Sequence, residues 1–401
     1  MNALARLGLG SLVLSASLVM AEDWPQWRGP NRTGISEEKG WTTTWPAEGP
    51  KRLWEAKVGV GWSSFSVANG KAYTMGNEGE VDSVYCFDAA TGKSVWTYKY
   101  DCSSKDPNGY PGTRCTPTVD GDRVYTVSRQ GHLFCLDAAT GAVKWSKDFA
   151  KDFGSKPPTW GFAGSPWIEK DWVVYEVGGE GASVVAFNKL TGDVVWKNGK
   201  DAPGYSSIIA FDLKGERSFV QFSGSQIVLR RMKDGSEVGR TEWKTSYGVN
   251  ATTPIIEGDK LFVSSGYGYG CALFQMKADG LEQIWRNKKM RNHVDSCVLW
   301  QGYLYGYDDN TLRCLDFKTG EEKWAEQKYG KGSVLLADGK LLLYGQGGKL
   351  GVAAASPEGF KEIVSADILK DKDTWAPPAL ANGRVYLRAR NQVVCLDLSG
   401  K

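Results

Sequence analysis

Two histidines, His132 and His293, are the whole imidazole complement of this 401-residue chain, which limits the acid–base and metal chemistry it can host. A histidine-rich metal centre needs more ligands, and a serine-type triad has only these two candidates for its base. His132, in Gln130-Gly-His-Leu133, lies at a turn into a strand and reads as a surface residue. His293, in Arg291-Asn-His-Val-Asp295, offers more, because on a strand a carboxylate two residues away shares its face and can set its tautomer. No Gly-x-Ser-x-Gly elbow accompanies either one, so hydrolysis is not expected. The runs Gly266-Tyr-Gly-Tyr-Gly270 and Gly345-Gln-Gly-Gly348 lead into no helical pattern that could hold a phosphate, and they read as turns. Asp308-Asp-Asn310 gathers oxygens, but in a place where such residues form turns.

Eight cysteines carry the remaining side-chain chemistry. Four of them recur at one position of a repeated strand: Cys86 in Val84-Tyr-Cys-Phe-Asp88, Cys135 in Leu133-Phe-Cys-Leu-Asp137, Cys314 in Leu312-Arg-Cys-Leu-Asp316 and Cys395 in Val393-Val-Cys-Leu-Asp397. Equivalent positions in separate units cannot bridge one another, so these read as small buried hydrophobes. Cys102 and Cys115 flank a polar loop that a disulfide could close, and are the candidate pair. Cys271 and Cys297 are a weaker one.

The elements that hold these residues follow from self-similarity. Tyr85-Cys-Phe-Asp-Ala-Ala-Thr-Gly-Lys-Ser-Val-Trp96 returns as Phe134-Cys-Leu-Asp-Ala-Ala-Thr-Gly-Ala-Val-Lys-Trp145, again over 185–196 and 313–324, and in worn form around Gly235, Gly280 and Gly359. The spacing, about 40 to 50 residues, lies in the propeller range. Each copy is a strand, an Asp-x-x-Thr-Gly turn and a strand bearing a tryptophan. A further strand pair precedes it, as in Thr116-Pro-Thr-Val-Asp-Gly-Asp-Arg-Val-Tyr-Thr-Val127. Four-stranded antiparallel units at this spacing pack face to face around an axis, with Trp96, Trp145, Trp196, Trp285 and Trp324 wedged between neighbours. Eight units can be counted. The last stops after its third strand, while Lys51-Arg-Leu-Trp-Glu-Ala-Lys57 lacks a partner. The expected fold is therefore all-β, an eight-bladed β-propeller over 51–401, closed by pairing of Leu53 to Val58 with the strand around Val393 to Asp397.

Aligning the units places Trp62, Thr113, Phe162, Ser207, Asn250, His293, Lys331 and Trp375 at one level of the inner strands, with Arg114 one residue and Asp295 two residues further in. These residues are expected to ring a channel mouth that binds a peptide, an envelope protein or a small ligand.

These repeats resemble the pyrroloquinoline-quinone-like (PQQ-like) repeat family, whose turn reads Asp-x-x-Thr-Gly followed by tryptophan. Asp23-Trp-Pro-Gln-Trp-Arg-Gly-Pro-Asn-Arg-Thr-Gly34 is similar to the opening of many exported propellers of that family. The resemblance implies one of two roles: a non-catalytic BamB-like scaffold of the cell envelope, or a PQQ-dependent quinoprotein dehydrogenase that oxidises alcohols. In the second role, the family holds a quinone at the channel mouth under a disulfide of adjacent cysteines, with calcium alongside. Asn250 would be the metal ligand, Asp295 the base and Lys331 a quinone contact. No two cysteines are adjacent in this chain, which favours the non-catalytic role, with no catalytic residue and no metal site.

Arg6 precedes an apolar stretch from Leu7 to Met20 that ends at Ala21, the pattern of a signal peptide over 1–21, with an extension over 22–50. No cysteine follows until Cys86, so no lipid attachment is expected. The expectation is an exported protein, periplasmic or extracellular, soluble after cleavage, monomeric and without a membrane span. Lys+Arg 49 against Asp+Glu 46, with no long basic run, argues against nucleic acid as a partner.

Overall fold

The computed structural model describes residues 22–106, 108–371 and 373–400, so the expected signal peptide lies outside the described residues. Eight antiparallel sheets succeed one another along the chain. Blades 1 to 7 span residues 66–101, 118–148, 167–198, 209–242, 255–287, 298–326 and 332–367, and blade 8 combines 379–397 with Arg52–Lys57. Closure follows the expected pairing, with Trp54 opposite Cys395 and Lys57 opposite Gln392. Among the described residues helix is confined to the single turn Phe149–Phe153, capped by Asp148, and a short 3-10 turn at Ser246–Gly248. No helix among the described residues is long and apolar enough to cross a membrane.

The repeat signature is also the joint between blades. In the turn after Asp137, its Oδ1 accepts hydrogen bonds from the backbone N–H groups of Ala139 and Thr140 and from the Thr140 hydroxyl. Gly141 then takes a φ of 75°, and a Cβ there would lie 2.7 Å from the ring of Trp96 in the preceding blade. Gly92 receives Trp54 in the same way. Five of the indoles also donate to a carbonyl of the next blade: Trp54 to Ala89, Trp96 to Ala138, Trp145 to Lys189, Trp285 to Phe317 and Trp324 to Ser356. Trp196 packs on Gly235 in the same way, but its Nε1 is buried without a partner. Positive φ and close approach of the ring thus meet at one glycine, which explains why turn and tryptophan recur together. Cys86, Cys135, Cys314 and Cys395 are buried free thiols in these interfaces.

The N-terminal segment is a hub inside the channel. Trp24 pairs with Val67 of blade 1, and the carbonyl of Pro25 accepts from Val119 N–H of blade 2. Trp27 Nε1 donates to Thr253 Oγ1, just ahead of blade 5. Arg28 donates to the carbonyls of Ser296 and Cys297, beside blade 6, and Arg32 to those of Ser165, Pro166 and Ile208, at blades 3 and 4. Ile35–Ser36 adds a parallel strand to blade 7, and the Glu38 carboxylate accepts from the backbone N–H groups of Asn382 and Gly383 in blade 8. One segment therefore touches all eight inner edges. Burial in the hub lowers the Arg32 guanidinium to about 9, with proton loss still far from neutral pH.

Candidate binding cavity at the channel mouth

Each aligned rim residue sits in the segment that leads into an inner strand: Trp62 before Ser66–Ala68, His293 before Val298–Trp300, Trp375 before Ala379–Ala381. Of them, Trp62, Arg114, Ser207, His293 and Trp375 line a cavity of about 190 Å³, together with Trp27, Tyr110, Trp160, Tyr205 and Tyr267 and with small residues such as Ala163 and Ala251, whereas Lys331 is not in its wall. The hub supplies Trp27 as its floor.

Trp62 and Trp375, from the first and last blades, stack with centroids 4.9 Å apart and planes at 22°. Tyr110 leans on Trp375 at 5.6 Å. Opposite them, the Tyr267 ring meets the His293 imidazole edge-on at 4.7 Å. Tyr267 belongs to the Gly266 to Gly270 run, which is indeed a turn, and the turn aims a ring at the cavity.

Arg114 builds wall rather than offering charge. Its Nε donates to the Trp160 carbonyl and its Nη2 to the Tyr110 carbonyl, each at 2.6 Å, with Asp106 at 3.5 Å. Burial first, and then the neighbouring Arg129, lowers it to about 10. His293 Nδ1 lies 2.7 Å from Lys331 Nζ. Burial, reinforced by the lysine charge, pushes the imidazole down to about 4, so Nδ1 accepts from the ammonium and the ring proton sits on Nε2. Lys331 therefore sets the tautomer, where Asp295 was expected to. Residues 293–295 form a bend and not a strand, so the two side chains do not share a face.

The remaining rim candidates point elsewhere. Phe162 is core, packed on Phe149 at 5.3 Å, and Ala163 faces the cavity in its stead. Thr113 is buried, bonded to Ser63 Oγ. Asn250 is fully enclosed, its Nδ2 donating to the Ser223 and Trp243 carbonyls while its Oδ1 accepts from Thr245 and Ser265 hydroxyls. Asp295 lies below the cavity, 3.5 Å from Arg28 Nη1, and accepts from Val334 N–H. Burial raises its carboxyl to about 6 against the opposing pull of Arg28.

These placements do not fit the calcium that the dehydrogenase resemblance implies. A hard cation needs several converging oxygens, whereas the Asn250 amide is saturated and Asp295 is paired with a guanidinium. Among the described residues no group of three or more histidine, cysteine or carboxylate side chains could hold a metal. The quinone's ceiling has no counterpart either, since all eight cysteines are free and buried, Cys102 and Cys115 included. The expected Cys102–Cys115 bridge is thus absent: their thiols lie against the carbonyls of Ser103 and Thr116.

Trp27, Tyr110, Trp160, Tyr205 and Tyr267 are wall residues that the alignment of units does not find. Two of them had a signal, because Trp160 and Tyr205 stand two residues ahead of the aligned Phe162 and Ser207.

Residues 80–326 match the profile of a family described as outer membrane protein assembly factor BamB. Over 291 residues the chain is 25% identical to the outer membrane protein assembly factor BamB of Burkholderia pseudomallei (strain K96243), a match spanning 58% of this chain and 68% of that protein. A stretch of 126 residues is 30% identical to quinohemoprotein alcohol dehydrogenase ADH IIB of Pseudomonas putida, covering 28% of this chain but 17% of the enzyme. Among solved structures, BamB from Moraxella catarrhalis superposes with a TM-score of 0.63 at 14% identity, covering 87% of this chain and 99% of that one. A europium-containing methanol dehydrogenase gives 0.69 at 13%, covering 91% and 89%. At such identities the structural likeness is one of fold.

Proposed function

Because this chain belongs to the family of outer membrane protein assembly factor BamB, built from PQQ-like repeats, we propose that it is a non-catalytic binding module of the cell envelope. In this reading it is exported, and its aromatic mouth captures a partner. One observation carries the choice over catalysis: Asp295, the carboxylate placed to act as base, lies beneath the cavity in a buried pair with Arg28 of the hub. A base must reach the proton it abstracts, and this one faces a guanidinium. The cavity wall itself supplies rigid tryptophan and tyrosine rings, which bury large areas at little entropic cost and are the side chains on which recognition sites rely.

The test is direct. The purified protein is mixed with PQQ and calcium and offered primary alcohols, with reduction of a dye as the readout. No turnover is expected. In parallel, Trp62→Ala and Trp375→Ala are each expected to weaken capture of envelope partners by about 2 kcal/mol while leaving the fold intact. Clear turnover would favour the quinoprotein reading, which draws support from the likeness to ADH IIB.

A further inference from the structure

The large side chains of the mouth share one chemical property. Four are indoles and three are phenols, and the aliphatic part of the wall is limited to Val249, Val294, Pro377 and two alanines. Each ring pairs a flat face that packs against C–H groups with an N–H or O–H edge. The Nε1 atoms of Trp62 and Trp375 are buried and that of Trp27 is bonded to Thr253, so the edges left to a ligand are those of Trp160 and the tyrosines, and an aliphatic peptide side chain would leave these unused. A pyranose presents the matching surface, with C–H patches on its face and hydroxyls around its rim.

The rim extends the same chemistry at a conformational cost. Tyr247 and Tyr267 hold φ of 58° and 54°, a left-handed backbone that bulky residues seldom adopt. Their rings lie 6.4 Å apart, and Tyr247, 71% exposed, stands 5.7 Å from Trp160. Strained backbone that presents aromatic rings to solvent is costly to folding and is explained by what the rings contact.

Charge narrows the class. Among the cations near the mouth, Arg114 has Asp106 at 3.5 Å, Arg390 has Asp373 at 3.4 Å and Arg291 is paired with Asp308. Lys331 alone contacts no carboxylate among the described residues. Lys331 is not in the cavity wall itself: its Nζ stands at the wall's edge, against the lining His293 imidazole and 5.6 Å over the Trp375 ring, with Asp309 the acidic group whose field reaches it. No aspartate or glutamate lines the cavity. A ring stacked on the wall with an attached anion at Lys331 satisfies both features.

We infer that the mouth binds an acidic saccharide, a hexuronate whose ring packs on the tryptophan and tyrosine faces and whose carboxylate pairs with Lys331. This deepens the binding role proposed above and rests on it.

The experiment titrates the full mature chain, in buffer free of divalent cations, with trigalacturonate, uncharged cellotriose and a short peptide ending in phenylalanine. Tryptophan emission and calorimetry are read. Trigalacturonate is expected to quench emission saturably. Lys331→Gln should weaken it about tenfold, the scale of one charge-assisted hydrogen bond, and leave any cellotriose response unchanged. Trp375→Ala should abolish both, with circular dichroism melts confirming that each variant folds. Silence of trigalacturonate, or equal binding to the wild type and Lys331→Gln, overturns the inference. If the peptide alone binds and Trp62→Ala removes that binding, the ligand class falls while the mouth stands as a recognition site. If all three probes are silent and the tryptophan variants keep every envelope partner, both readings fall.

Discussion

The guanidinium of Arg28, in the hub, ends 3.5 Å from the carboxylate of Asp295, and neither side chain is more than 3% exposed. Replacing Arg28 with methionine leaves a buried carboxylate without its counter-charge and orphans the carbonyls of Ser296 and Cys297. We expect a loss of about 3–5 kcal/mol in denaturant unfolding, partly recovered in the Arg28→Met/Asp295→Asn double variant. The loss should shrink in acid. The Asp295 carboxyl, already raised to about 6, rises further without Arg28, and a carboxyl with a raised folded value costs stability as pH climbs through it.

Glu176 offers a cleaner pH experiment. It is buried between blades 3 and 4, accepting from Gln221 Nε2 and Gly204 N–H, and burial lifts it to about 8. The folded state therefore holds a proton that the unfolded chain releases near the ordinary value of 4.5. Wild-type stability falls as pH rises between those values, whereas Glu176→Gln removes the titration. The Tm of Glu176→Gln minus that of the wild type should grow from about pH 4.5 to about pH 8 and level off above.

Thiol titration tests the cysteines. Burial pushes Cys102 and Cys115 up to about 12, and the same cause raises the others. A disulfide reagent should find almost no reactive thiol in the native protein and all eight after denaturation without reductant. A count of six would reveal a bridge.

Ring closure depends on Trp54, which packs between Phe87 at 5.8 Å and Tyr386 at 5.9 Å and donates to the Ala89 carbonyl. Trp54→Ala should cost about 3–5 kcal/mol by thermal or denaturant unfolding. Trp324→Ala, at a more exposed joint, should cost less.

The blades were legible because their signature is local. Asp137, Thr140, Gly141 and Trp145 lie within nine residues, and each performs its part within its own turn or on the adjoining blade. The hub was not, since residues 23–38 have no strand periodicity and their bonds reach as far as from Asp23 to Asn382. The mouth was half legible. Trp62, Arg114, His293 and Trp375 do converge, but the alignment slipped by one residue at Phe162 and Asn250, where Ala163 and Ala251 face the cavity. Counting from the repeat fixes a level along the axis to within a residue. Which neighbour turns inward is decided by local bends, such as the left-handed Tyr247 ahead of Asn250.

Trp27 lines the cavity, and Arg28 and Arg32 of the same segment bond across to residues beside blades 6 and 3. On the binding role proposed above, a polymer threaded along the axis would have to displace this segment, so it is expected to be read at a terminus or a branch. Guests must come and go by the same opening, past Tyr247 and Tyr267. If the proposed role holds, the pace of that exchange is set by these two tyrosines and the strength of capture by the tryptophans of the wall.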